Sequence, residues 1–206
     1  MYVPPLFAED RPEVLAALMA AHPLATLVSL GPQGLTANLI PFLHDVGGGV
    51  LRAHLARANR QLDDLREMQE TDRQVLVLFQ GAQAYVSPGW YATKAETGKV
   101  VPTWNYLAVE VRGVPRVIDD PGWLRAQVGA LTVRHEAAQQ APWSVGDAPE
   151  SFVAAQLRGI VGVEIPVAHI AGKWKVSQNR GLPDRQGVIA GLAAQDNPMA
   201  GIVPGA

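Results

Sequence analysis

The chain has 206 residues, no cysteine, and 17 Lys plus Arg against 19 Asp plus Glu, a formal net charge of −2. That length supports a substantial core without disulfides or structural metal. The missing cysteines exclude thiolate nucleophiles, cysteine-ligated zinc and iron–sulfur clusters, and the slight negative charge supplies no field for a polyanion. With 48% hydrophobic and 17% charged residues the composition is that of an ordinary globular protein. The start MYVPPLF carries no basic residue and no apolar run approaches a membrane span. The expectation is one domain over residues 1–206, in the cytoplasm and without membrane attachment.

Asp10-Arg-Pro-Glu13 predicts a helix start with Asp10 as N-cap and Val14, Leu15, Leu18 and His22 on one face, ended by Pro23. Leu24–Leu30, Leu35–Leu43 and Val50–Leu55 read as strands separated by Gly31-Pro-Gln-Gly34 and Gly47-Gly48-Gly49, giving two successive hairpins in an antiparallel meander. Ala56–Glu70 reads as a helix with the thin stripe Leu62, Leu65, Met68. Gln74–Gln80 is a nearly continuous apolar strand, and Ala84–Val86 is expected to follow a tight turn at Gly81-Ala82.

Five of the thirteen aromatic residues, Tyr85, Trp90, Tyr91, Trp104 and Tyr106, fall between positions 85 and 106, flanking a polar loop with Lys94, Glu96 and Lys99. Flat amphipathic rings around a long loop suit a planar ligand, although Trp104 and Tyr106 can equally begin a strand and fill the core. Tyr106–Ile118 alternates, with a bend at Gly113-Val-Pro115. Asp120-Pro121 starts a helix with the stripe Leu124, Val128, Leu131, His135, and a shorter helix covers Pro149–Arg158. Strands Ile160–Ile165 and Ile170–Val176, a helix Asp184–Ala194 and a loose tail Asn197–Ala206 complete the chain. Strands joined by hairpins predict an α+β antiparallel barrel with peripheral helices, against a Rossmann sheet.

Familiar catalytic signatures are absent. No G-x-G-x-x-G follows a strand, Gly98-Lys99 lacks the rest of a P-loop, and none of the five serines lies in G-x-S-x-G. His135-Glu136 begins like a metalloprotease helix, but Gln139 stands where the second His belongs. Two constellations remain. His54, Arg57, Asn59 and Arg60 gather where a strand passes into a helix, a place suited to phosphate; the bland alternative is a solvated helix start. Lys173, Lys175 and Ser177 share one face of the last strand and run into Gln178-Asn179-Arg180.

Taken in order, MYVPPLF, LRAHLARANRQ, VLVLFQGAQAYVSPGWY, VPTWNY, LRGIVGVEI and KWKVSQNR resemble the PaiB-type FMN-binding negative transcriptional regulators, from Met1 to about Leu192. The resemblance implies a split β-barrel flavoprotein related to the pyridoxamine-phosphate-oxidase group, a homodimer with FMN between subunits. It places His54, Arg57 and Asn59 on the phosphate side, Trp104 and Asn105 in the aromatic motif, and Lys175, Ser177, Gln178 and Asn179 in the last-strand motif. Asn38, Asn105 and Gln178 can serve the polar edge of an isoalloxazine. Where relatives often carry Pro and Trp after the Asn, this chain has Arg60 and Leu62.

The expected function is a flavin-dependent sensor or redox protein. Its rivals are an FMN-dependent oxidoreductase of unstated substrate and a haem-binding split barrel using one of His22, His44, His54, His135 and His169. Direct DNA binding is not expected: no helix-turn-helix pair is visible, and the helix from Pro121 has only Arg125 and Arg134 as basic side chains besides His135.

Overall fold

The computed structural model describes residues 1–205. In chain order the elements are β1 (Ala8–Glu9), α1 (Pro12–Ala21), β2 (Leu24–Gly31), β3 (Gly34–Pro41), β4 (Leu43–Asp45), β5 (Val50–Ala56), α2 (Gln61–Glu70) and β6 (Val75–Val86). There follow α3 (Ala92–Thr97), β7 (Thr103–Gly113), β8 (Arg116–Ile118), α4 (Pro121–Glu136), α5 (Glu150–Arg158), β9 (Ile160–Pro166), β10 (His169–Lys175) and α6 (Leu182–Ala193). The pairings recorded between strands are antiparallel, and the fold is of the α+β split-barrel class expected. The chain forms two compact units, one of Met1–His22, Phe79–Glu110 and the segment from Ala171 onward, the other of Pro23–Leu78 and Val111–Ile170.

The second unit contains the sheet β4-β5-β9-β8. On one face Leu51, Ala53 and Leu55 stand opposite Ile165, Val163 and Val161, all buried. Full burial of each Leu, Ile or Val side chain in this ladder is worth about 1.5–3 kcal/mol. The other face carries Arg52 opposite Glu164 and His54 opposite Gly162, and α4 packs there. A side chain at Gly162 would clash with the Trp123 ring, so the glycine is what lets the indole approach the strand closely. The hairpin β2–β3, with β6 beside β2, places Ala25, Leu27 and Ser29 inward, while Leu24, Leu30, Leu35 and Leu39 remain exposed.

In the first unit the strands run in the order β1-β10-β7-β6. Helix α1 buries Leu15, Leu18 and Met19, and α6 buries Asp184, Val188 and Leu192. A Cβ at Gly187 would collide with the Trp90 carbonyl, and one at Gly191 with the Trp90 indole; these two glycines set how closely α6 approaches the Pro88–Trp90 turn.

Several expectations are corrected. No turn interrupts β6 at Gly81-Ala82; Gly81 instead makes room for Leu18 and Leu107, whose atoms would lie 3.0 and 3.1 Å from a Cβ there. Asp10 does not cap α1: Arg11 holds that position, its N–H bound by Glu9 Oε1 at 3.0 Å. Helix α2 begins at Gln61, not Ala56, because the Arg57 N–H is spent on the Gly159 carbonyl and Asn59 Oδ1 accepts from the Gln61 N–H. The two hairpins lie in different sheets, so there is no single meander. On α4, Asp120 caps as expected, but Gln127 is buried and His135 is exposed. The tail is ordered through a 3-10 turn with Met199 and Val203 buried; Ala206 lies outside the described residues.

Candidate functional site

In the first unit, β7 and β10 bring the aromatic motif beside the last-strand motif. Asn105 and Ser177 are 0% and 3% exposed and bond to one another, Asn105 Nδ2 to Ser177 Oγ at 2.9 Å and Ser177 Oγ to Asn105 Oδ1 at 3.2 Å. Ser177 has φ +65°, a left-handed conformation uncommon without glycine, so this buried pair pins the turn that ends β10. Gln178 does similar work: its Oε1 accepts from the Val176 N–H at 2.7 Å, and its Nε2 donates to the carbonyls of Leu6 and Trp174. Ser177 therefore does not continue the lysine face of the strand, as alternation implies; β10 stops at Lys175 and the chain turns inward.

What this turn leaves accessible is aromatic and cationic. Trp104 is half exposed, with its ring edge-on to Tyr85 at 6.1 Å, and Asn179 is exposed. Lys175 Nζ donates to Thr103 Oγ1 and to the Trp104 carbonyl. Lys173 Nζ donates to the Tyr2 carbonyl at 3.0 Å and lies 5.2 Å from the centroid of Tyr106. The Arg180 guanidinium stacks over buried Tyr91 at 4.4 Å. Among the described residues none of these three cations is paired with a carboxylate. Burial, with Lys173 and Arg180 adding repulsion, holds the Lys175 ammonium below the ordinary lysine value. The strand alternation and the SQNR ending mark Lys173 and Arg180 in the sequence, and the aromatic cluster between positions 85 and 106 marks Tyr91.

In the second unit the residues expected on the phosphate side make the following contacts. Arg57 forms a bidentate pair with Asp119 at 2.6 and 2.7 Å and donates to the carbonyls of Arg158 at 2.9 Å and Ile160 at 3.1 Å. Asp119 holds the guanidinium strongly protonated, and the arginine holds the Asp119 carboxyl below its usual range. His54 Nδ1 is 2.9 Å from Gln127 Oε1, and Asn59 caps Gln61. Asn38 Nδ2 donates to Gln61 Oε1 at 2.9 Å, while Gln61 Nε2 donates to the Leu27 carbonyl at 3.0 Å and to Ser29 Oγ at 3.2 Å. These four residues knit β3, β5, α2 and α4 together. Arg60, exposed, has no partner of this kind among the described residues.

Residues 1–169 match a sequence family described as "Putative FMN-binding domain". The chain is 35% identical over 226 residues to an uncharacterised protein of Emericella nidulans, covering 93% of this chain and 90% of that protein. It is 28% identical over 202 residues to the Bacillus subtilis protein named Protease synthase and sporulation protein PAI 2, with 97% and 93% covered. Its fold is similar to that of the FAD and haem binding protein from Mycobacterium smegmatis, with a TM-score of 0.60 and 18% identity over 82% of this chain and 73% of that one. No helix among the described residues is long and apolar enough to cross a membrane.

Proposed function

The chain belongs to the PaiB-type FMN-binding family and binds FMN, and from that premise we propose that it acts as a flavin-dependent redox or sensing protein that uses the turn after β10 to hold the cofactor. The single observation that carries this reading is the set of three cations, Lys173, Lys175 and Arg180, that meets no carboxylate among the described residues. Such a positive patch beside an exposed indole fits a ligand with a phosphate and a flat ring system. FMN, when bound, supplies the electron-transfer chemistry; the protein contributes binding, orientation and electrostatics.

In this assignment Trp104, Lys175, Asn179 and Arg180 make the contacts, whereas Asn105, Ser177 and Gln178 position the turn. Lys175 is tethered by Thr103 and the Trp104 carbonyl, so its ammonium is presented in a fixed place. Asn38, His54, Arg57 and Asn59 serve the framework that keeps the second unit rigid. The visible spectrum of the purified protein tests the reading: a flavin spectrum with saturable FMN quenching supports it, and a haem spectrum, or no response to added FMN, overturns it.

The exposed face of β2–β3 supplies the observation for homodimerisation. Leu35 and Leu39 are 77% and 64% exposed, and cross-strand pairs Leu30 with Leu35 and Val28 with Ala37 extend the apolar surface. A contiguous apolar sheet face of this kind is a protein-interaction surface, and a closed two-fold pair is its simplest use. We place any regulatory role outside direct DNA contact, because the net charge is −2 and the available cations are assigned to FMN. Sedimentation and duplex-DNA retardation test the two statements.

A further inference from the structure

The end of α2, the bend between β7 and β8 and the turn after β9 enclose a cleft of about 490 Å³ within the second unit. Nothing in the flavin assignment uses it. Its walls are fixed: Pro115 and Pro166 hold their own backbone angles, a Cβ at Gly113 would lie 2.0 Å from the Pro166 carbonyl oxygen, and the Ala168 N–H donates to the Arg112 carbonyl at 3.0 Å. With Val114 and Ala168 the two prolines make an apolar surface. The polar part of the lining is Gln69, Asp72 and Arg116, all three exposed.

Each of the three has capacity its own fold leaves unused. The Val117 N–H donates to Gln69 Oε1 at 2.7 Å; a backbone N–H only donates, which fixes the amide with Nε2 as its open, donating end. Arg116 approaches Glu164 at 3.6 Å, beyond hydrogen-bond reach, while Arg52 takes that carboxylate at 3.0 Å. The Arg116 guanidinium therefore keeps its donors. Asp72 follows the end of α2 with φ +53°, a conformation that suits Gly or Asn, and sets a carboxylate at the negative end of a helix with no basic residue in its last turn. The adjacent Arg73 pairs with Glu67 at 2.6 Å instead, and no cation among the described residues meets the Asp72 carboxylate. A cationic group placed there offsets this repulsion. We propose that the cleft binds a zwitterion with an apolar body, an amino acid or dipeptide with aliphatic side chains, its ammonium on Asp72, its carboxylate on Arg116 and Gln69 Nε2, and its side chain against Pro115 and Pro166. A ligand of single charge would leave one of the two charged side chains unused, and the volume, within the range of small-molecule pockets, sets the ligand's size.

Leucine and leucyl-leucine are the probes, each beside its C-terminal amide, which lacks the carboxylate, and its N-acetyl form, which lacks the ammonium, all titrated calorimetrically into the full FMN-loaded chain. At least one of the two zwitterions is expected to bind saturably at millimolar concentration or below, and about tenfold more tightly than either of its blocked forms, the ratio expected for one charge-assisted contact. Asp72→Asn, a replacement suited to the left-handed position, should make the zwitterion and its N-acetyl form bind alike. Arg116→Gln should do the same for the zwitterion and its amide. The two substitutions lie at exposed positions on different segments, so misfolding of one leaves the other as the test. No saturable heat with either zwitterion, equal binding of free and blocked forms, or an unchanged preference in either folded variant would overturn the proposal. Flavin absorbance recorded on the same samples reports cofactor loading separately, so failure of this site and failure of the FMN reading are distinguishable.

Discussion

Two segments of this chain carry arginines or lysines in family-like motifs, and they treat those charges in opposite ways. At the β5–α2 junction Arg57 is saturated by Asp119 and two carbonyls. At the end of β10 the charges of Lys173, Lys175 and Arg180 rest on aromatic rings, carbonyls and a hydroxyl, with no carboxylate among the described residues. A cation already neutralised within its own fold has little left to offer a phosphate, whereas one lying on rings and amide oxygens retains its field. On the proposed reading, internal pairing more than motif content decides which basic residue recognises an anion.

The comparison can be broken most severely through packing. Gly187→Ala should displace α6 from the Trp90 carbonyl and destabilise the protein by about 1–3 kcal/mol, read as a lower urea midpoint with unchanged slope; an unchanged midpoint would mean that α6 does not approach the Pro88–Trp90 turn as closely as described. Next in size, replacing both Leu35 and Leu39 by Glu should convert a dimer to a monomer of 22.0 kDa in sedimentation without altering the secondary structure. A monomeric wild-type protein at micromolar concentration would remove the assignment of that face.

The charge state of Lys175 sharpens the contrast. Burial lowers its pKa from the lysine reference of 10.5, and an anion contact needs the ammonium. FMN affinity should therefore fall as pH rises through that lowered value, and Lys175→Met should lose this fall. If the pH profile of the variant matches that of the wild type, the ammonium is not in contact with the ligand.

The smallest effect concerns His44, whose imidazole burial holds below its reference of 6.5, opposed by Asp45 and reinforced by Arg134. A depressed folded value means that the unfolded chain binds the proton first. Stability should therefore be intact above about pH 6.5 and decline as pH falls through the folded value. His44→Gln should flatten that decline in denaturant titrations.

Much of the architecture was legible because it rests on local rules. Asp120-Pro121 starts a helix in any context that leaves its N–H groups free, and the alternation in β5 and β9 can bury only one face. The failures have a common cause in tertiary contact. Gly81 reads as a turn residue, yet the approach of Leu18 and Leu107 is what requires it. The delayed start of α2 depends on Gly159, about a hundred positions away from Arg57, which no local window registers. Within the site, the residue types around VPTWNY and SQNR were visible, but the inward turn of Ser177 and the capture of Arg57 by Asp119 depend on long-range partners. Gln127 carried no signal at all, since a glutamine on a helix face is normally solvated.

The central claim is that the β10 turn, not the β5–α2 junction, recognises the phosphate. It is tested most directly by measuring FMN and riboflavin affinities for the wild type, Lys175→Met and Arg57→Ala, because the two ligands differ only in that phosphate. The account predicts that Lys175→Met lowers FMN affinity about tenfold or more, as for a charge-assisted contact, and leaves riboflavin affinity unchanged, while Arg57→Ala alters the FMN-to-riboflavin ratio less than threefold by the same scale. The contrary result, loss of the FMN preference in Arg57→Ala with Lys175→Met unaffected, would move the phosphate to the other segment and contradict the account.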